Sequence, residues 1–367
     1  MRLIDRRSFL ASAGAAFAAS LTPHSAEALS RTEAVFGAAC QKADGSYGCA
    51  VFTEEGRILS LVDLPDRGHD ITFDPITRRA VAFARRPRTF AVVFDPASGR
   101  TLHTITSQDG RHFFGHGFFS PDGRLLYATE NEIETAEGLV GIYDVGAGFR
   151  RVGEFPTHGM DPHEALLMPD GETIVVANGG IETHPDFGRQ KLNLPTMEPS
   201  LAFIERRTGR LIEKQTLGHE LHQLSIRHLA VDARQRVWFG CQYEGNPSDL
   251  PQLVGFASRG ESIALVPLDP EPLASLANYV GSVAASTDGS LIALASPKGN
   301  AILTFDAAAT RPAGRYTLTE TCGLAPVHAG FIATGGQGDV MLLADEVDRR
   351  PSDRVLWDNH ILAMAGL

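Results

Sequence analysis

Several of the motifs that most often announce a function are missing from this 367-residue chain. Its four cysteines, Cys40, Cys49, Cys241 and Cys322, form no C-x-x-C-H, which excludes covalently attached c-type haem, and no C-x-x-C pair of the kind that holds structural zinc. No G-x-S-x-G elbow, P-loop or dinucleotide fingerprint occurs, so no nucleotide cofactor and no elbow-type serine nucleophile is expected. Beyond the N-terminus there is almost no amphipathic helical periodicity, and no segment is long and apolar enough to span a bilayer. Positive charge is also short: 33 Lys and Arg face 44 Asp and Glu, a net −11 that argues against nucleic acid and anionic membrane as partners.

What is present begins with MRLIDRRSFLASAGAAFAASLTPHSAEALS. Arg6 and Arg7, followed by Phe9 and Leu10, a mild apolar stretch and the small-x-small triplet Ala26-Glu27-Ala28, read as a twin-arginine signal peptide over residues 1–28. Its removal takes three Arg, one Asp and one Glu and leaves 339 residues at net −12, expected in the periplasm after export in the folded state. In that oxidising compartment Cys40 and Cys49 are disulfide candidates: QKADGSYG lies between them, and a two-residue Asp44-Gly45 turn would set them face to face. Two buried free thiols are the alternative.

The rest of the chain repeats. Units opening at His69, His116 and His163 start 47 residues apart, and further units open near His228, Ser282 and Gly323. Each reads strand, turn (often Pro-Asp-Gly), strand, loop, strand ending in an acidic residue (Asp95, Asp144, Glu205), turn, strand. Four antiparallel strands per unit of roughly 45 residues is the pattern of a β-propeller blade. The first unit has only three strands, AVFGAAC, YGCAVFT and RILSLVDL, and lacks the innermost one. The chain ends HILAMAGL, which matches the openings of the other units. The expected fold is therefore an all-β, seven-bladed propeller over residues 29–367, closed by the C-terminal strand joining the N-terminal blade.

In this register His360, His69, His116, His163 and His228 stand at the start of the innermost strand in five successive blades, while blades six and seven carry Gly281-Ser282 and Gly323 there. Imidazoles converging on a channel mouth suit Fe, Cu, Zn or Ni, with Fe or Cu the expected metal. The alternative is a structural role for each ring as a hydrogen-bond donor between blades. Glu164, Glu130 and Asn131 are expected to lie near the arc, as ligands or beside them. Arg227, next to His228, would need a carboxylate, with Glu164 or Glu130 the candidates. A long insertion, residues 178–201, carries Asn178, His184, Arg189, Lys191 and Asn193 and is expected to serve ligand binding. Two tryptophans, Trp238 and Trp357, are too few for the blade-by-blade docking of quinoprotein propellers.

FGHGFFSPDGRLLYATENE, HPDFGRQKLNL with MEPSL, and LSIRHLA resemble a family of twin-arginine-exported bacterial proteins classed as a domain of unknown function with a seven-bladed YVTN/quinoprotein-like propeller. The resemblance implies a place among imelysin-type and di-haem periplasmic proteins in iron-uptake gene clusters. It adds weight to His116, Glu130, His163, His184 and His228. The function expected is a periplasmic metal-handling accessory protein rather than an enzyme. A protein-interaction scaffold, or a lactonase-like hydrolase using Glu130, Asn131 and Asn178, are the alternatives.

Overall fold

A computed structural model describes residues 34–328, 330–344, 346–352 and 355–364; residues 1–28, expected from the sequence to be a signal peptide, lie outside it. Seven antiparallel sheets follow one another along the chain, and the innermost strands touch in turn around a ring that closes on itself. Blade 2 comprises Gly68–Asp74, Arg79–Ala84, Phe90–Asp95 and Arg100–Thr106. Blades 3 to 7 open with Arg111–Phe119, Pro162–Leu167, Leu224–Val231, Ser282–Ala285 and Thr321–Val327 respectively.

Burial follows strand order. Middle strands such as Thr173–Asn178 (TIVVAN) are buried along their whole length, so they read as continuous apolar runs, whereas outer strands such as Arg311–Thr317 (RPAGRYT) are mostly exposed. The core is distributed between blades. Val81, Phe83 and Val93 of blade 2 pack on Phe113, Leu126 and Tyr143 of blade 3, and comparable apolar clusters join each further pair of neighbours round to blade 1. Each blade thus completes its apolar cover only with both neighbours in place.

Blade 1 is built as expected. Val35–Lys42, Tyr47–Thr53 and Ile58–Leu64 are completed on the inner side by C-terminal residues, with Cys40 opposite Trp357 and Phe36 opposite Ala363. The closing strand comes in two short pieces, Val355–Trp357 and Leu362–Ala363, separated by Asp358-Asn359-His360-Ile361, with His360 in the left-handed region at φ 68°.

The expected face-to-face pairing of Cys40 and Cys49 does not occur. The hairpin closes at Lys42 and Ser46 around a three-residue loop, with Gly45 at φ 84°. One more loop residue shifts the register, so Cys40 faces Gly48 and Cys49 faces Ala39. Neighbouring register positions point to opposite faces of the sheet, and both thiols are free and buried.

Candidate metal centre

Four of the innermost strands are bulged where their histidine stands. Register slips fall between Gly68 and Ile71, Phe113 and Gly117, Pro162 and Glu164, and Ile226 and His228. A bulge bends the strand and re-aims a side chain; here it turns His69, His116, His163 and His228 towards one point. Blade 1 reaches the same result through the break at His360. Gly323 of blade 7 makes room for it, because a Cβ there would meet the His360 carbonyl carbon and the Ile361 nitrogen at 2.7 Å.

The five rings form a closed polygon. Neighbouring centroids are 4.8 Å apart for His360–His69 and His69–His116, 5.4 Å for His116–His163, and 4.7 Å for His163–His228 and His228–His360. All five residues are buried. His116 Nε2 lies 3.2 Å from His69 Nε2; two nitrogens on one ion with bonds of about 2.1 Å lie roughly 3.0–3.4 Å apart at 90–109°. Two donor sets, His69/His116/His360 and His116/His163/His228, each hold their ligand atoms within 4.8 Å of one another. His116 belongs to both.

The supports come from neighbouring blades. Asp70 Oδ2 accepts from His116 Nδ1 at 2.9 Å, and Glu164 Oε2 accepts from His228 Nδ1 at 3.2 Å and from the Leu229 amide at 3.1 Å. The acid that follows a histidine in one blade therefore fixes the histidine of the next, leaving its Nε2 for the centre. His228 Nε2, His163 Nε2, His360 Nε2 and His69 Nδ1 are buried without a hydrogen-bond partner among the described residues.

Burial disfavours the charged form, so it holds His69, His163 and His228 well below the ordinary imidazole value and His360 down to about 3. Burial also pulls on His116, but the charge and hydrogen bond of Asp70 outweigh it and raise that pKa. Burial pushes Glu164 up to about 7. At neutral pH four of the rings are thus neutral lone-pair donors, the state a metal requires. His163 differs in one respect: Arg227 Nη1, which can only donate, lies 3.4 Å from its Nδ1, so in this arrangement the ring proton sits on Nε2.

The other expected residues divide. Glu164 and Arg227 reach the ring, but the carboxylates nearest Arg227 are Asp161 and Glu244, each at 3.8 Å, rather than Glu164 or Glu130. Glu130 is buried between the Tyr143 hydroxyl (2.5 Å) and Arg151 Nη2 (2.8 Å), because its position on the second strand of blade 3 turns it into the sheet's outer half. Asn131 Nδ2 donates to the Glu132 carbonyl, and Asn178 Nδ2 donates to the Thr157 carbonyl. Of the three residues expected of a lactonase-like centre, Glu130 is therefore committed to Tyr143 and Arg151, whereas Asn178 Oδ1 is buried without a hydrogen-bond partner among the described residues.

In the insertion, Asn193 ties the loop together through the Glu182 amide and Gly180 carbonyl, and His184 Nδ1 accepts from the Asp186 amide. Lys191 pairs with Glu244, and Arg189 is exposed. Sequence reasoning missed Asp70, Asp161, Glu244, Arg85 and Arg86. For Asp70 a signal existed: His69-Asp70 and His163-Glu164 are the same histidine–acid pair two blades apart.

No curated protein matches the chain. Among solved structures, Kuenenia stuttgartiensis Hydrazine Synthase is similar with a TM-score of 0.59 at 14% identity, over 86% of this chain and 94% of that one; at this identity the likeness is one of fold. A family profile matches residues 62–364, which takes in the whole histidine ring. The chain belongs to the family described as "Protein of unknown function (DUF1513)".

Proposed function

We propose that this propeller is a metal-handling protein of the periplasm that holds one transition-metal ion, iron or copper, in its histidine ring. The observation that carries the reading is the closed polygon of five buried imidazoles, three of them (His163, His228 and His360) with an Nε2 that lacks a hydrogen-bond partner among the described residues. A structural role for each ring would leave those nitrogens paired. An all-imidazole set backed by two carboxylates suits borderline metals and not Ca or Mg, which take oxygen ligands. The family resemblance supports iron. The Arg6-Arg7 signal supports export of a folded protein, the route by which a metal can be loaded before crossing the membrane.

Metal analysis of protein from cells grown with iron and copper should find about one equivalent. His116→Ala, which removes the ligand common to both triads, should lose most of it. Retention of the full metal content by His116→Ala/His163→Ala, or no metal in the wild type, would overturn the reading.

A further inference from the structure

Beside the ring, on the side of His163, lies a box of buried charges that makes few close contacts. The Arg86, Arg227, Asp161 and Glu244 side chains are 24, 6, 0 and 5 % exposed. Asp161 Oδ1 is 3.8 Å from Arg86 Nη1, and its Oδ2 is 3.8 Å from Arg227 Nη2; neither oxygen has a hydrogen-bond partner among the described residues. Glu244 Oε1, Arg227 Nε and Ser225 Oγ are likewise buried and unpartnered. Arg86 lies over the Phe114 ring at 5.4 Å and gives one long hydrogen bond, 3.4 Å, to Thr183 Oγ1. Asp161 is also held in the left-handed region at φ 56°, a cost that non-glycine residues bear at sites where position matters.

Buried charges are ordinarily paired and their remaining donors and acceptors filled, because an unfilled one costs about 1–3 kcal/mol. Here several are unfilled at once and face each other at distances too long for hydrogen bonds. What would fill them must offer acceptors to two guanidinium forks and a donor to Asp161. With Lys191 counted, the box holds three cations against two carboxylates, so the missing group carries one negative charge. Arg189, exposed on the insertion, adds positive potential: burial lowers the proton affinity of Arg86, Asp161 partly restores it, and Arg227 and Arg189 lower it again.

We propose that Arg86, Asp161, Arg227 and Glu244 form a binding site for a small protonated oxyanion of the hydrogencarbonate class, which occupies the protein together with the metal. Arg86 and Arg227 hold its anionic oxygens, and Asp161 accepts from its hydroxyl. Arg227, bridging this site and His163 Nδ1, links the two occupancies: an anion that draws the guanidinium away from His163 frees that ring to change tautomer and turn a lone pair to the metal. Dihydrogenphosphate shares the chemistry and is the other source. The coupling rests on the metal reading, whereas the anion site itself does not.

Calorimetric titration of the metal-free protein with hydrogencarbonate, dihydrogenphosphate and acetate at pH 7.5 tests the site directly. One equivalent of either of the first two should bind at least 10-fold more tightly than acetate, which has no proton to give; equal binding of all three, or no binding, overturns the proposal. Arg86→Gln, with its fold checked by thermal melting, should abolish the heat of anion binding while still binding Fe(II). The anaerobic Fe(II) affinity of the wild type should rise at least 10-fold with the bound anion, and an unchanged affinity removes the coupling. Anion binding with no Fe(II) or Cu(II) binding at all would leave this site standing and overturn the metal reading instead.

Discussion

Gly115 is the sharpest handle on the ring. It sits one residue before His116 with φ 110°, in backbone that side-chain-bearing residues rarely adopt, and a Cβ added there would lie 2.4 Å from His69 Cδ2 and 3.0 Å from His69 Cβ and Cγ. Carbon atoms settle at about 3.5–4.0 Å, so in Gly115→Ala the His69 ring must retreat by roughly 1 Å. Metal–ligand distances tolerate only about 0.2 Å, so the displaced imidazole leaves the coordination sphere. Loss of a supporting residue typically costs 10–100-fold in metal affinity, and loss of a ligand should cost at least that.

The strained backbone adds about 1–3 kcal/mol of destabilisation, which lowers Tm by roughly 1–4 °C in a protein of this size. Gly110→Ala is the control. Its φ is 75°, yet a Cβ there meets nothing within 4 Å, so it carries backbone strain without touching the histidines. The assay is competition for Fe(II) or Cu(II) against a chromophoric chelator, with calorimetric melting of the same samples. Wild-type metal affinity in Gly115→Ala, or an equal loss in Gly110→Ala, would refute the reasoning.

Three further outcomes follow from the geometry. Because burial keeps His69, His163, His228 and His360 from protonating while the unfolded chain protonates from about pH 6.5 downwards, stability present above pH 6.5 is lost as pH falls towards their folded values. At pH 5.5 all four groups therefore work against the folded state. Glu164, raised to about 7, works in the opposite sense, stabilising below its unfolded pKa and losing that as pH rises through 7, and His116, also raised, acts in the same direction. The metal-free protein should therefore melt several degrees lower at pH 5.5 than at pH 7.5, and an equal or higher Tm contradicts the assignment. Asp70→Asn should weaken metal binding by about 10–100-fold with the fold intact, because His116 loses its orienting carboxylate. Glu130→Ala should destabilise by about 1–3 kcal/mol, because the buried Tyr143 hydroxyl loses its acceptor while Arg151 keeps only Glu154, yet leave metal affinity unchanged in the same competition assay.

The ring itself was legible in the chain because the spacing of 47 residues repeats and the closing strand shares the motif of the other blades. The supports were not, because each is a contact between blades: Asp70 with His116 spans 46 positions, Glu164 with His228 spans 64, and Arg85 with Asp358 spans 273. A repeat reveals what each blade has in common and hides what passes between blades. The Cys40–Cys49 expectation failed on one loop residue, since Asp-Gly accommodates both a two-residue turn and a three-residue loop ending in left-handed Gly45. Glu130 was misplaced for a related reason: the end of a second strand lies at the right height, but the side-chain direction there is set by register, and it meets Tyr143 and Arg151 instead.

His360 stands 291 positions after His69, its neighbour in the ring, and the two short strands that flank it also complete blade 1. A polypeptide in which residues 355–364 have not yet docked on blade 1 thus has neither a sealed toroid nor a fifth imidazole. Closure of the fold and completion of the pocket are a single event.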